Sequence, residues 1–239
     1  MKNATERFNK KFLEIEHFKK HSQIMPFVGK SWGKTGKLLV IGESHYLDDN
    51  DENASKRKNK WIWKNWYDIT SEDLTETQLG WTSTAKMINE AITKDEYHLG
   101  WGIWRNIKNA ILKTGFNPDA NNTSKILRFI AFMNFFQRPA LETGETISHD
   151  EKDIRIANET LNEVVGIIKP DYLFFVSSKA WEEFDNEVLL NEKVIGHSCH
   201  PTSPWWNIES AKYTKPNRKE KIKGEESFQY FVKKNKIFE

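Results

Sequence analysis

The chain has 239 residues, a formal net charge of +2, 38% apolar residues and a single cysteine, Cys199. That length fits one domain, taken here as 1–239, and buries a substantial core. The composition excludes an internal disulfide, an all-cysteine metal site and binding of nucleic acid through global charge, and no apolar run approaches the ~18–20 residues of a membrane span.

In chain order, Phe8, Phe12 and Ile15 share one helical face and predict an N-terminal helix within 5–20. Leu38-Leu39-Val40-Ile41 reads as a short buried strand that stops at Gly42, the pattern of a strand feeding a functional loop. Residues from about 48 to 80 are polar and tryptophan-rich with little periodicity, and read as a long loop with short helical turns. Helices are expected over 84–92 and around Trp104, Ile107 and Ile111, the second closed by Gly115. Residues 125–136 read as helix then strand, with Asn134 near the end. Helical spacing runs from Ile154 to Ile168, and Pro170 lies just beyond. Residues 172–176 form the clearest buried strand, followed by a short helix over 179–184. A brief strand at 194–195 leads into His197-Ser198-Cys199-His200-Pro201, and an amphipathic helix over 227–236 closes the chain.

Strands alternating with helices imply a mainly parallel sheet covered on both faces, a three-layer α/β/α domain. Ligands of such sheets bind beyond the carboxyl ends of the strands. Gly42-Glu43, Asn134 and His200 each fall at or just after a strand, so they are expected to meet on one rim.

Local charge is more informative than the total. Lys56-Arg57-Lys58 and Lys60 precede Trp61, Trp63 and Trp66, and a second cluster holds Lys215, Arg218, Lys219, Lys221 and Lys223. Basic residues interleaved with aromatics suit a phosphate backbone with bases to stack on. The plainer alternative is a solvated rim over buried tryptophans, which the charge pattern by itself favours. Most of the ten tryptophans belong in the core or a cleft wall, and exposed ones mark a binding surface.

Four segments together carry a family resemblance. Leu39-Val40-Ile41-Gly42-Glu43-Ser44-His45-Tyr46 resembles the first motif of the uracil-DNA glycosylase-like superfamily, a strand with a Gly-Glu or Gly-Gln tip. Phe132-Met133-Asn134-Phe135-Phe136-Gln137-Arg138-Pro139 is similar to the asparagine-bearing strand of its iron–sulfur branch. His200-Pro201-Thr202-Ser203-Pro204 resembles its His-Pro-Ser-Pro loop, and 224–235 resembles its closing helix. The stretch from Tyr172 to Trp181 looks like the strand and turn before the His-Pro loop. The motifs follow the family order over about 36–238. Departures are one cysteine where the iron–sulfur branch has four, Ser44 where the best-known branch has aspartate, Thr202 inserted before Ser203, and Trp205-Trp206 where a leucine usually follows.

The resemblance implies an enzyme that hydrolyses the N-glycosidic bond of uracil or a related deaminated base in single- or double-stranded DNA. Breaking that bond puts positive charge on the sugar and negative charge on the base, so a donor aimed at the base carbonyl stabilises the transition state. His200, held by Pro201, is the candidate donor, against a loop-capping histidine as the alternative. Asn134 offers a donor and an acceptor that match the edge of uracil, against a turn-forming asparagine. Glu43 is the candidate to position water, against a helix N-cap. Ser44, Thr202 and Ser203 are candidates for a phosphate. Tyr46 is a candidate pocket wall or core residue, and His45 a second water-positioning group or a hydrogen-bonded loop residue. Trp205 or Trp206 would fill the space of a flipped base, with Lys219 and Lys221 on the phosphates. No cofactor, metal or membrane is expected, and the chain is taken as a monomer. The N-terminus is charged from Lys2 onward without a signal-peptide stretch, so a cytoplasmic location is expected.

Two other readings stay open. One is a non-catalytic nucleic-acid or nucleobase-binding protein on the same fold, which the Ser44 departure favours. The other is a zinc-dependent hydrolase using His45, His197, Cys199 and His200, for which no His-Glu-x-x-His motif is present.

Overall fold

The computed structural model describes residues 2–47, 53–94, 102–141, 146–214 and 221–239, with the backbone alone for 53–57 and 211–214. The elements in chain order are α1 (Asn9–Phe12), α2 (Glu16–Lys20), β1 (Phe27–Val28), β2 (Leu38–Gly42), α3 (Asn53–Asn65), α4 (Glu76–Thr82), α5 (Thr84–Lys94) and α6 (Gly102–Leu112). After a 3-10 segment at Thr123–Phe129 come β3 (Ala131–Asn134), α7 (Glu151–Ile168), β4 (Tyr172–Phe175), α8 (Ser178–Glu182), α9 (Glu187–Glu192) and β5 (Val194–His197). The chain closes with β6 (Ser210–Thr214), β7 (Lys221–Ile222) and α10 (Gly224–Lys234).

A five-stranded sheet has the order β1-β3-β2-β4-β5. The pairs β3–β2, β2–β4 and β4–β5 are parallel, and only the short β1 runs antiparallel, Phe27 opposite Phe132. Every residue of β2 is buried, as its unbroken apolar run requires of a central strand covered on both sides. Successive side chains serve opposite faces. Leu39, Ile41, Met133, Leu173 and Phe175 join a core built with α1, α2, α3, α7 and α8, and Leu38, Val40, Phe132 and Phe174 join one built with α5, α6 and α10. Among the described residues no helix is long and apolar enough to cross a membrane.

The expected elements need two corrections. The N-terminal helix over 5–20 is two short helices, because Leu13–Ile15 turns the chain so that both Phe12 and Phe18 reach the core. The stretch read as a loop from 48 to 80 holds a 13-residue helix, α3, and then α4. Asn59 and Ile62 of α3 and Trp66 just past its end are buried on one face, a stripe too sparse to stand out among lysines. Two consecutive capping boxes, Thr70 with Asp73 and Thr75 with Gln78, then organise the polar stretch locally.

Candidate functional site

β2, β3, β4 and β5 all end on the same edge of the sheet, and polar residues stand at or within two residues of each strand end: Glu43, Asn134, Ser177 and Ser198. Gly42 and Asn134 are paired in register at the ends of β2 and β3. A side chain at position 42 would meet Asn134 Oδ1 at 2.4 Å and the Phe132 ring at 2.7 Å, so glycine is what lets the amide lie over the end of β2. Asn134 is 9% exposed, and its amide has no hydrogen-bond partner among the described residues. Its backbone is held instead. Gln137 donates from Nε2 to the Asn134 and Phe135 carbonyls at 2.8 and 2.9 Å. The Gln137 carbonyl accepts from Trp66 Nε1 at 2.8 Å and lies 3.3 Å from His17 Nε2. One residue further on, buried Arg138 pairs with buried Asp153, which also accepts from Tyr67 at 2.5 Å.

Glu43 follows directly on Gly42. Its Oε2 accepts from the Ser177 hydroxyl at 2.8 Å and its Oε1 from the Ile147 amide at 3.2 Å. Ser177 stands just past β4, where its Oγ also accepts from the Ala180 amide at 3.1 Å and caps α8. That bond leaves the hydroxyl hydrogen for Glu43, which fixes the carboxylate as an acceptor.

His200 sits three residues past β5. Its Nδ1 lies 2.8 Å from Thr202 Oγ1 and accepts from the Thr202 amide at 3.3 Å. An amide can only donate, so in the neutral ring the proton is on Nε2. Burial pushes the pKa of His200 below its usual value, partly opposed by the negative charge of Glu43. The turn is held by Asn106 of α6, which donates to the Pro201 carbonyl at 2.7 Å. Gly224 of α10 packs so closely on Ser198 and Cys199 that a side chain there would overlap both.

Glu43 and His200 line one cavity of about 520 Å³, together with Thr146, Ser178, Lys179, Cys199, Ser203 and Trp205. Asn134 does not line it; its amide lies over the neighbouring strand end. Ser203, rather than Thr202, is the hydroxyl residue of the loop on the cavity. Thr202 is tied to the His200 ring instead. Ser44 Oγ is shut away from solvent with no partner among the described residues. Tyr46 is half-buried against the core, and burial and then the charge of Glu43 raise its pKa. His45 donates from Nε2 to Thr84, 2.9 Å away, because the Thr84 hydroxyl itself donates to the Ile24 carbonyl. Burial lowers the His45 pKa to about 4, so it is a neutral, hydrogen-bonded loop residue.

The tryptophans divide sharply. Trp205 is 53% exposed on the cavity rim, whereas Trp206 is 1% exposed in the core near Phe228. Trp206 is therefore corrected from a DNA-contacting wedge to a packing residue. Trp66 is likewise buried, stacked on His21 at 4.0 Å, and Trp63 lies under the Arg138 guanidinium. Trp61 is exposed. Lys221 is exposed on β7, while Lys215, Arg218 and Lys219 lie outside the described residues.

Among the described residues no three His, Cys, Asp or Glu side chains converge as a metal site. His197 stacks on Trp181 at 4.6 Å, and His45 is committed to Thr84. Reading the sequence missed Ser177, Ser178, Lys179 and Gln137. The signal for the serines was present: they follow a fully apolar strand, as Glu43 follows β2. No protein-family profile matches the chain, and no curated protein sequence matches it.

Proposed function

We propose that this chain is a uracil-DNA glycosylase-like enzyme that hydrolyses the N-glycosidic bond of uracil or a related deaminated base in DNA. The observation that carries the reading is one cavity, at the carboxyl ends of parallel strands, lined by a fixed carboxylate, Glu43, and a neutral imidazole, His200. Its volume lies in the range of about 300–1,000 Å³ usual for small-molecule sites.

In this mechanism Glu43 accepts a hydrogen bond from water on a lone pair not used by Ser177 or Ile147. The oxygen of that water attacks the sugar carbon as the carbon–nitrogen bond breaks. The bonding electrons leave with the base, and His200 Nε2–H donates to the base oxygen where the negative charge develops. Glu43 takes the proton of the water, and its charge also offsets the positive charge on the sugar. Asn134 lies over the neighbouring strand end rather than in the cavity lining, and its amide, unspent on the protein, reads the edge of a base that reaches past the cavity towards β2. The Gly-Glu tip on a central strand, the asparagine on its neighbour and the His-Pro turn past an outer strand support the superfamily assignment.

The test is incubation with a labelled uracil-containing oligonucleotide, followed by alkali cleavage of abasic sites. Cleavage at the uracil position supports the enzyme. Binding without release of base replaces it with a non-catalytic nucleobase-binding protein on the same fold.

A further inference from the structure

One helix face lies outside everything the proposed mechanism uses. The sequence of α3 holds five basic residues, Lys56, Arg57, Lys58, Lys60 and Lys64, and no Asp or Glu. No charge pair within the helix offsets them, and Lys60 and Lys64, four apart, repel each other. The apolar side of the helix is already spent, with Ile62 buried and Trp66 buried just past the helix end. Trp63 is taken up by the protein, with the Arg138 guanidinium 4.0 Å from its ring centroid. Trp61 is the exception at 53% exposed, forgoing the burial that stabilises the other rings. Lys58 and Lys64, both exposed, stand three residues before and after it. Residues three apart are neighbours on a helix surface, so the exposed indole lies between two lysines. The helix is anchored at the edge of the sheet that carries the candidate site. Trp66 Nε1 donates to the Gln137 carbonyl at 2.8 Å, and Gln137 in turn holds the backbone of Asn134.

We propose that the face of α3 formed by Lys58, Lys60, Trp61 and Lys64 binds single-stranded nucleic acid irrespective of its sequence, as a surface separate from the cavity. The lysines take phosphates and the indole stacks on an unpaired base, the two contacts that sequence-tolerant single-strand binding combines. A duplex presents no free base face to the ring. A helix that lies on a membrane turns a broad apolar face outward. α3 turns that face into the core, and Trp61 is the one large apolar side chain it exposes among the described residues. An acidic peptide would use the lysines and leave the indole without a partner of its own. The surface goes beyond the glycosylase reading and does not depend on it.

The experiment is fluorescence anisotropy with a labelled oligodeoxythymidylate, which contains no uracil, titrated at several salt concentrations. The substituted side chains are all exposed, and circular dichroism confirms that each variant is folded. Trp61→Ala should weaken binding by about 5- to 100-fold, the scale of one stacked base, and leave the salt dependence unchanged. Trp61→Phe should recover most of that loss. Lys60→Gln combined with Lys64→Gln should flatten the slope of log affinity against log salt by about 1.4, because each phosphate contact of a single strand contributes ~0.7. No binding by the wild type, or unchanged affinity in the variants, would overturn the proposal. So would a duplex of the same length bound as tightly as the single strand. Binding to phosphatidylserine vesicles without binding to the oligonucleotide would overturn it in favour of a membrane surface. Lysine-dependent binding in which Trp61→Ala is neutral would overturn it in favour of an acidic partner. Base release is not measured, so failure of the glycosylase reading leaves this surface standing, and failure of this surface leaves that reading standing.

Discussion

Glu43 and Ser177, 134 residues apart in sequence, meet at 2.8 Å across the carboxyl ends of adjacent strands β2 and β4. The serine hydrogen bond is spent in one direction only, because its oxygen already accepts from the Ala180 amide. Each carboxylate oxygen of Glu43 thus carries one protein donor and keeps a lone pair for solvent.

Ser177→Ala should therefore act on both catalysis and stability. Losing the N-cap of α8 costs about 1 kcal/mol of stability. The freed carboxylate should slow single-turnover base release by about 10-fold or more, in line with the cost of a lost charge-assisted hydrogen bond. Ser177→Thr, which keeps the hydroxyl, should restore most of the rate. Equal rates for Ser177→Ala and wild type would remove Ser177 from the positioning of Glu43.

His200→Ala should slow base release by about 100-fold or more, the usual scale for losing an oxyanion donor. DNA affinity should barely change, because phosphate contacts dominate it. An unchanged single-turnover rate would refute the role given to His200 Nε2.

Asn134→Ala should leave the melting temperature nearly unchanged, since its amide makes no hydrogen bond that the protein would lose. It should weaken discrimination between uracil and cytosine, whose edge has donor and acceptor reversed, in a binding competition. Gly42→Ala should give the same loss of discrimination, because the added methyl would lie 2.4 Å from Asn134 Oδ1 and must push the amide aside. Full discrimination by both variants would exclude Asn134 as the base reader.

Acid should unfold the protein through three histidines. Burial lowers the pKa of His17 to about 3, with the charge of His21 adding to the effect, and burial lowers those of His21 and His45 to about 4. Their folded pKa values lie below the unfolded value of 6.5, so the unfolded chain takes up protons first as pH falls. Their stabilisation is complete above pH 6.5 and declines by about 1.4 kcal/mol per pH unit for each histidine until the folded pKa is reached. Urea unfolding between pH 7.5 and pH 5 should show this decline, and His17→Gln, which keeps a donor for the Gln137 carbonyl, should flatten it. A pH-independent midpoint would contradict the buried neutral state of these rings.

The two adjacent tryptophans should separate cleanly. Trp206→Ala should cost about 3–5 kcal/mol, the range for emptying a large buried site. Trp205→Ala should change stability by less than about 0.5 kcal/mol, as a surface substitution does, and should weaken oligonucleotide binding. Equal effects on stability would contradict the split between core and rim.

Local pattern in the sequence determined β2, β4, α7 and the closing helix, because apolar spacing reports which face of an element is buried and needs no knowledge of its partner. It also placed Gly42-Glu43, Asn134 and His200 at strand ends, which a parallel sheet brings to one edge. It did not reveal α3, whose buried stripe of Asn59 and Ile62, continued by Trp66 just past its end, includes a polar residue and is diluted by lysines. Only the tertiary structure decided that Trp206 points inward while Trp205 faces the cavity rim, since two adjacent indoles carry no periodicity to tell them apart. The same holds for Ser203 on the cavity with Thr202 on the His200 ring, and for Ser177 on Glu43. These assignments depend on contacts between distant segments or on the turn of a loop, and the spacing of residues along the chain encodes neither.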